Sequence, residues 1–332
     1  MDLVLSDDKR SIIASVRDVI GDLMSPAQVR EVLEGDRSAL DRLWAAAAEL
    51  GWFGLGLSEP LGGSGFDLVD EALLFKELGR GVVPGPFLAT VLGARVAAVA
   101  GERELADLLL AGEERVALAT AAADGTHLLH DAIGAGHLLV VDPDGAELFA
   151  ASAATDRALA PGLDELTSRE TAVISGDTLV TVAASVEPIH VRGGILATAM
   201  LVGIAEQTRD LSVAYAKTRE QFGTPIGAFQ AVKHRCADMA VVAALADAQL
   251  LFGALSVAET RPDAAFQAAA ARLVTERAAL SNAREAVQIH GGIGVTWESD
   301  VHLYLKRVHA LRDLLSDGPQ QRKDLLATPI AD

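Results

Sequence analysis

Tyr215–Gly223, Y-A-K-T-R-E-Q-F-G, closes one long helical pattern, and Gln288–Gly294, Q-I-H-G-G-I-G, closes another. Each stretch sets a charged or amide side chain beside a glycine-bearing turn, where the chain must reverse. Arg219 offers a planar fork that can grip a phosphate through two hydrogen bonds. Gly291 and Gly292 lack side chains, so a ligand or another backbone can approach closely. Taken singly, each feature has a plainer reading. Arg219 could pair with Glu220 or Asp210 at the surface, and the glycine pair could be a helix stop with no ligand. Together they point to a pyrophosphate-bearing ligand held at the ends of helices.

Working outward, apolar residues recur at helical spacing over about Gly193 to Glu220, Ala228 to Ala258, Asp263 to Ile289 and Ser299 to Leu315. Runs of about 28 residues make rods of roughly 40 Å, suited to a four-helix bundle. Gly291 and Gly318 stand where helices end, and Pro262 stands where the first turn of a helix tolerates proline. Upstream, about 114 to 187, the period shortens. V-A-L-A-T, H-L-L-V-V, A-E-L-F-A, T-A-V-I-S and T-L-V-T-V-A-A are β-favouring and are separated by D-G, D-P-D-G and S-G-D turns. Residues 1 to about 113 return to helical spacing, with Ser6-Asp7-Asp8 as a candidate cap, Asp36 to Leu50 as a helix stopped by Gly51, and a loop at Gly62, Gly63 and Gly65. The expected fold is mainly α with a small β domain. Residues 1–113 form an N-terminal helical domain, 114–187 a shortened middle β domain, and 188–332 a C-terminal four-helix bundle.

Composition sets limits on function. A net charge of −18 over 332 residues argues against nucleic acid or an anionic membrane as partner. Half the residues are hydrophobic but only 4% aromatic, so alanine and leucine must fill the core. The bundle helices are too apolar to be covered on one side only, which implies helix-to-helix association. Cys236 is the single cysteine and excludes an intrachain disulfide, in keeping with a cytoplasmic location. The N-terminus has no leader pattern, and no run of about 18 uncharged apolar residues suggests a membrane span. His234, His290, His302 and His309 lack metal-ligand spacing, so no metal is expected. Glu59 and Asp67 flank a glycine-rich loop that does not join a strand to a helix as a phosphate loop does.

R-E-Q-F-G-T-P-I, F-Q-A-V-K-H and Q-I-H-G-G-I-G, with G-W-F-G-L-G-L-S-E-P-L-G-G-S-G (Gly51 to Gly65), resemble the acyl-CoA dehydrogenase family in order and spacing. The resemblance spans nearly the whole chain and is weak between about 114 and 187. It implies FAD as cofactor and an acyl-CoA thioester as substrate. It also implies a carboxylate base near the α-carbon and a flavin lying across a subunit boundary. Arg219, Phe222, Gln230, Gln288, Gly291 and Gly292 match the positions that reach the flavin pyrophosphate and adenosine of a neighbouring subunit.

The other half of the family's site is altered. Where the family has T-E-x-x-x-G-S-D, residues Thr120–His127 read T-A-A-A-D-G-T-H, keeping Thr120, Gly125 and Thr126 but placing Ala121 and His127 at the two acids. The Trp-Ile-Thr strand that backs the ring is missing, and Trp44, Trp52 and Trp297 lie elsewhere. Of the family's two base positions, one falls on Leu315, counted without gaps from Gly294, and the other on Gly193, 26 residues before Arg219. Glu187 is six residues too early, and Asp317-Gly318 restores an acid–glycine pair only with a two-residue insertion.

The resemblance therefore implies a subunit of a heteromeric, α2β2 acyl-CoA dehydrogenase, acting on a bulky thioester such as a steroid side chain. A second family member would supply the base, and an electron-transfer flavoprotein would be a fitting acceptor. Two alternatives stay open at this point. One is a self-sufficient homotetramer using Asp317 or another acid. The other is a non-enzymatic scaffold that binds acyl-CoA or a partner.

Overall fold

The computed structural model describes residues 7–315 and Leu325, so Ser6 of the candidate cap and the Asp317–Gly318 pair lie outside the described residues. Helices α1 (Asp7–Leu23), α2 (Pro26–Leu33), α3 (Ser38–Glu49), α4 (Leu68–Arg80), α5 (Phe87–Ala100) and α6 (Arg103–Leu110) come first. Local chemistry sets where they begin. Asp67 accepts from the Asp70 backbone N–H at 3.0 Å while the Asp70 carboxylate accepts from the Asp67 N–H at 3.2 Å, a reciprocal cap that opens α4. Every residue of α4 from Leu68 to Gly79 is buried, so this helix is a core rod with no solvent face.

The sheet follows as β1 (Val116–Ala121), β2 (His127–His130), β3 (His137–Asp142), β4 (Gly145–Ala150), β5 (Ala154–Leu159), β6 (Arg169–Ile174) and β7 (Val180–Ala183). Its order is β5-β6-β2-β1-β3-β4-β7, with β1 and β3 parallel and the other neighbours antiparallel. Side chains alternate across it. Val116, Leu118, Leu139, Leu148, Val180 and Val182 join the helical core, while Ala117, Leu129, Leu138, Phe149 and Ala172 form a second core on the opposite face.

Two strands escape a reading by pattern. The tetrapeptide β2, H-L-L-H, follows the β1 turn directly, and β5, A-T-D-R-A-L, is an edge strand exposed along nearly all its length.

The bundle consists of α7 (Ile189–Thr218), the hairpin β8 (Glu220–Gln221) and β9 (Thr224–Pro225), then α8 (Gln230–Ala258), α9 (Ala264–His290) and α10 (Val301–Leu311). The last helix is shorter than the Ser299 to Leu315 expectation, ending in turns at Arg312–Leu315. Where α4 crosses α7, Gly79 lies against the Met200 carbonyl and Gly203 against the Lys76 carbonyl, so neither position has room for a Cβ. Backbone-to-backbone approach seats the bundle on the N-terminal helices. Lys76 and Arg80 of α4 then reach Asp247 at 2.8 Å and Glu206 at 3.1 Å.

By length and composition α7 and α8 could each cross a bilayer. In the fold, 72% of the most apolar stretch of α7 is buried as a core helix, against 33% for α8.

Candidate cofactor and catalytic site

The two motif stretches meet at one end of the bundle. Arg219 leaves α7 in an extended conformation, and its carbonyl accepts the Ile226 N–H at 2.8 Å, closing the β8–β9 hairpin. The two loop residues, Phe222 and Gly223, have φ of +55° and +77°, as a two-residue hairpin turn requires. Glycine adopts that geometry freely, whereas phenylalanine is strained by it. Phe222 is nevertheless 95% exposed, touching the chain through an edge contact with Phe229, ring centres 6.2 Å apart. Gln230 opens α8 immediately afterwards.

From the other side α9 ends at His290, whose ring stacks on Tyr215 with centres 4.2 Å apart. Burial pushes the His290 pKa down, favouring the neutral ring. Beneath this stack Met239, Ala286, Ile289 and Val301 form a small core. It binds the ends of α7 and α9 and the start of α8 into one unit.

Arg219, Phe222, Gln230, Gln288, Gly291 and Gly292 are all exposed at this end. A Cβ on Gly291 or Gly292 would meet nothing within 4 Å, so the backbone there borders open space. Gly291 itself has φ +65°. Arg219 makes no ion pair or side-chain hydrogen bond among the described residues. Its expected rival partner Asp210 is held instead by Arg80 at 2.9 Å and Arg209 at 2.7 Å. The donor set suits the ADP half of a dinucleotide: a free guanidinium for the pyrophosphate, glycines permitting close approach, and two amides and a phenyl ring around them.

The base positions tell a different story. Gly193 and Leu315, far apart in sequence, stand side by side. A Cβ on Gly193 would lie 2.5 Å from Leu315 Cδ1 and 2.8 Å from Leu92 Cδ1. Leu315 is 5% exposed and is held at φ +50°. Both places where the resemblance puts a carboxylate thus open onto one point, and two leucine side chains fill it. Glu187 is no free substitute, because it takes Arg95 Nε at 2.7 Å and lies 3.5 Å from Arg192 Nε, which also pairs with buried Glu71.

The segment aligned with the ring-binding frame is likewise committed internally. Thr120 Oγ1 lies 3.1 Å from His130 Nε2, and Asp124 accepts from Thr126 N–H at 3.0 Å and Thr126 Oγ1 at 2.7 Å. Burial, aided by Arg169, pushes the His130 pKa down to about 4. Nearby Asp131, at φ +55°, has its carboxyl pushed up to about 6, burial outweighing the Arg307 charge. Arg307 is itself buried and bonds Asp164 at 3.0 Å, Thr167 at 2.7 Å and the Val83 carbonyl at 2.9 Å.

Between these groups, Leu118, Leu311 and Leu314 lies a cavity of about 50 Å³. Trp44 and Trp52 are buried in the N-terminal core, and Trp297 sits exposed against His302. The exposed residues at the bundle end suit the ADP half of FAD.

The six residues named from sequence all lie exposed at the bundle end, and the two positions where the resemblance puts a base adjoin each other. Sequence reading missed Leu92, His130, Asp131 and Arg307. Only Asp131 had a usable signal, an acid beside the I-G-A-G turn.

Residues 6–112 match the pattern described as acyl-CoA dehydrogenase, N-terminal domain, and residues 191–319 that described as acyl-CoA dehydrogenase, C-terminal domain. The fold and these domains are those of flavin-dependent acyl-CoA oxidoreductases. The chain is 34% identical over 321 residues to the acyl-CoA dehydrogenase IpdE2 of Mycobacterium tuberculosis (strain ATCC 25618 / H37Rv), covering 95% of each. It belongs to the acyl-CoA dehydrogenase family.

Among solved structures it resembles the ChsE4–ChsE5 complex from Mycobacterium tuberculosis, with TM-score 0.84, 23% identity and full coverage of both chains. It equally resembles the Tcur3481–Tcur3483 steroid ACAD, with TM-score 0.84, 23% identity and coverage of 97% and 98%. At that identity these two likenesses speak for the fold.

Proposed function

We propose that this chain is the base-lacking subunit of a heteromeric acyl-CoA dehydrogenase. It reaches across the subunit boundary to hold the pyrophosphate and adenosine of an FAD whose ring lies in a partner of the same family. The observation that carries the reading is the meeting of Gly193, Leu315 and Leu92. A protein built to abstract a proton from an acyl-CoA keeps a carboxylate there, and this one packs leucine.

The six exposed residues at the bundle end then have a role that does not need a local active site. Arg219 neutralises the pyrophosphate, Gly291 and Gly292 let it approach the backbone, and Gln230 and Gln288 offer amide contacts to the adenosine side. When bound, the flavin supplies the acceptor for the hydride that leaves the β-carbon. Phe222, strained and exposed, covers the dinucleotide once the partner is in place.

A bulky acyl-CoA of steroid type is the proposed substrate class. It is supported by the likeness to a steroid ACAD and to the two-component ChsE4–ChsE5 complex. Passage of electrons to an electron-transfer flavoprotein belongs to the same proposal.

The test is a visible absorption spectrum and a turnover assay on the chain alone, then on the chain co-purified with a second, base-bearing family member. The expected result is a colourless, inactive chain and a yellow, active complex. A yellow chain alone, near one flavin per protomer, would overturn the proposal and favour a self-sufficient enzyme.

A further inference from the structure

A cavity of about 280 Å³ opens where the α1–α2 turn faces the end of α4, the middle of α7 and the start of α10. None of the six bundle-end residues lines it, and neither do Leu92, Gly193 and Leu315. It is therefore separate from the proposed cofactor face and from the closed base position. Ile20, Met24, Val29, Val82 and Leu303 supply its apolar wall, each 4% exposed or less.

The ionised groups around it are already paired. Arg17 donates from Nε and Nη2 to the two oxygens of Glu77, both at 2.8 Å. Arg80 pairs with Glu206 at 3.1 Å and Asp210 at 2.9 Å, and Asp300 accepts from Arg30 at 2.7 Å. A charged ligand would enter with no counter-charge left to meet it, and burying an unpaired charge is costly.

Gln207 is the exception among the polar groups. Arg80 Nη2 donates to its Oε1 at 2.8 Å. A guanidinium only donates, so this bond fixes the amide with Nε2 turned the other way. That Nε2 has no acceptor among the described residues, and Gln207 lines the cavity.

The wall is also strained. Val82 stands at φ +43°, a left-handed conformation that disfavours a branched side chain. Tyr304, which lines the cavity as well, steadies this turn by donating its hydroxyl to the Arg80 carbonyl at 3.0 Å. Strained backbone collects at ligand clamps.

We infer that this cavity binds a small, uncharged molecule with an apolar body and one oxygen acceptor, an alcohol or a ketone. The body covers the apolar wall, and the oxygen takes the free Gln207 amide N–H. Benzene occupies an engineered cavity of about 150 Å³, or about 25 Å³ per non-hydrogen atom, so this cavity takes about 11 such atoms. That is far smaller than an acyl-CoA. The site is therefore not a substrate position, and the inference stands whether or not the chain works in a heteromer.

The test is a ligand-observed NMR titration of the full-length chain with 4-phenylbutan-1-ol. Its charged analogues 4-phenylbutylamine and 4-phenylbutyrate serve as comparators. The expected result is one saturable site for the alcohol below about 1 mM, with both ions bound at least about tenfold more weakly. Gly21→Leu builds a side chain on the cavity wall, where a Cβ meets nothing within 4 Å, and should abolish binding. Gln207→Leu removes the donor and should weaken the alcohol about 3- to 10-fold.

A thermal melt checks that both variants are folded. Gly21 is exposed on α1, so its variant locates the probe even if Gln207→Leu fails to fold. Absence of saturable alcohol binding up to about 5 mM would overturn the inference. So would an ion that binds as well as the alcohol, an affinity that a folded Gln207→Leu leaves unchanged, or binding unmoved by Gly21→Leu, which would place the probe elsewhere.

Discussion

Replacing Arg219 with alanine separates a cofactor contact from a structural one. In the free chain the guanidinium is exposed and has no ionic or hydrogen-bonding partner among the described residues. Its removal breaks no pair and opens no cavity, so unfolding free energy should move by no more than about 0.5 kcal/mol. In the proposed complex the same group would face a pyrophosphate. A charge-assisted contact of this kind contributes roughly 1.5–3 kcal/mol. At 1.4 kcal/mol per tenfold, that raises the FAD dissociation constant about 10- to 150-fold. The assay is fluorescence titration of FAD into the deflavinated complex, beside a urea unfolding curve of the chain alone. Arg219→Lys keeps the charge but loses the planar fork, and should fall between wild type and alanine. FAD affinity unchanged in an intact complex would refute the assignment. A large loss of stability in the free chain would refute the claim that Arg219 has no structural partner.

Further outcomes follow from the packing and the buried charges. Gly193→Ala should destabilise the chain by about 1–3 kcal/mol, since the new methyl would stand 2.5 Å from Leu315 and 2.8 Å from Leu92. The double variant Gly193→Ala/Leu315→Ala should be less destabilised than the two single losses added, by urea unfolding. Gly203→Ala presses a Cβ on the Lys76 carbonyl and lies 2.7 Å from the Arg80 backbone nitrogen, so it should cost more than about 3 kcal/mol or abolish folding, read by circular dichroism. For Asp131, burial raises the carboxyl pKa from 3.8 to about 6, so its favourable protonated form is fully present below pH 3.8 and its contribution is lost as pH rises through 6. Asp131→Asn should remove that slope, gaining at neutral pH at most about 3 kcal/mol and less to the extent that the residue reaches solvent. Thermal melts at pH 4.5 and 7 measure it.

The α–β–α order was legible because its signals are local. Helical spacing marks the long rods, and D-P-D-G marks the β3–β4 hairpin, where Asp142 accepts the Asp144 and Gly145 N–H groups at 2.8 and 2.9 Å. Strand β5 was not legible, since an exposed edge strand has no buried face to impose alternation. The six bundle-end residues could be named from sequence because each lies in or beside a helix-ending motif. The contact that joins the two stretches could not be named, because it is Tyr215 stacking on His290, distant in sequence. Leu92 gave no signal at all. A leucine in an apolar helix looks the same whether it lines a cavity or fills one, and only the third dimension tells these apart.

That difference decides how the altered half of the site should be understood. Loss of a catalytic carboxylate alone would leave a hollow, and a hollow lined by apolar groups is costly. Here the position is closed. Leu315 is buried in a left-handed conformation that disfavours leucine, and Gly193 is the residue that makes room for it. Next to the sheet, Arg307 binds Asp164, Thr167 and the Val83 carbonyl in a buried ionic cluster. An apolar closure at the base positions and a buried ionic cluster at Arg307 stabilise the interior of a chain whose proposed cofactor face, with Arg219 unpaired among the described residues, lies exposed at the far end of its bundle. Such a chain gains nothing from restoring one acid at position 193 or 315. A base placed there would meet packed leucine, so Gly193→Glu should unfold the chain or leave it inactive, and recovered dehydrogenation of an acyl-CoA by that variant alone would contradict the closed-site argument.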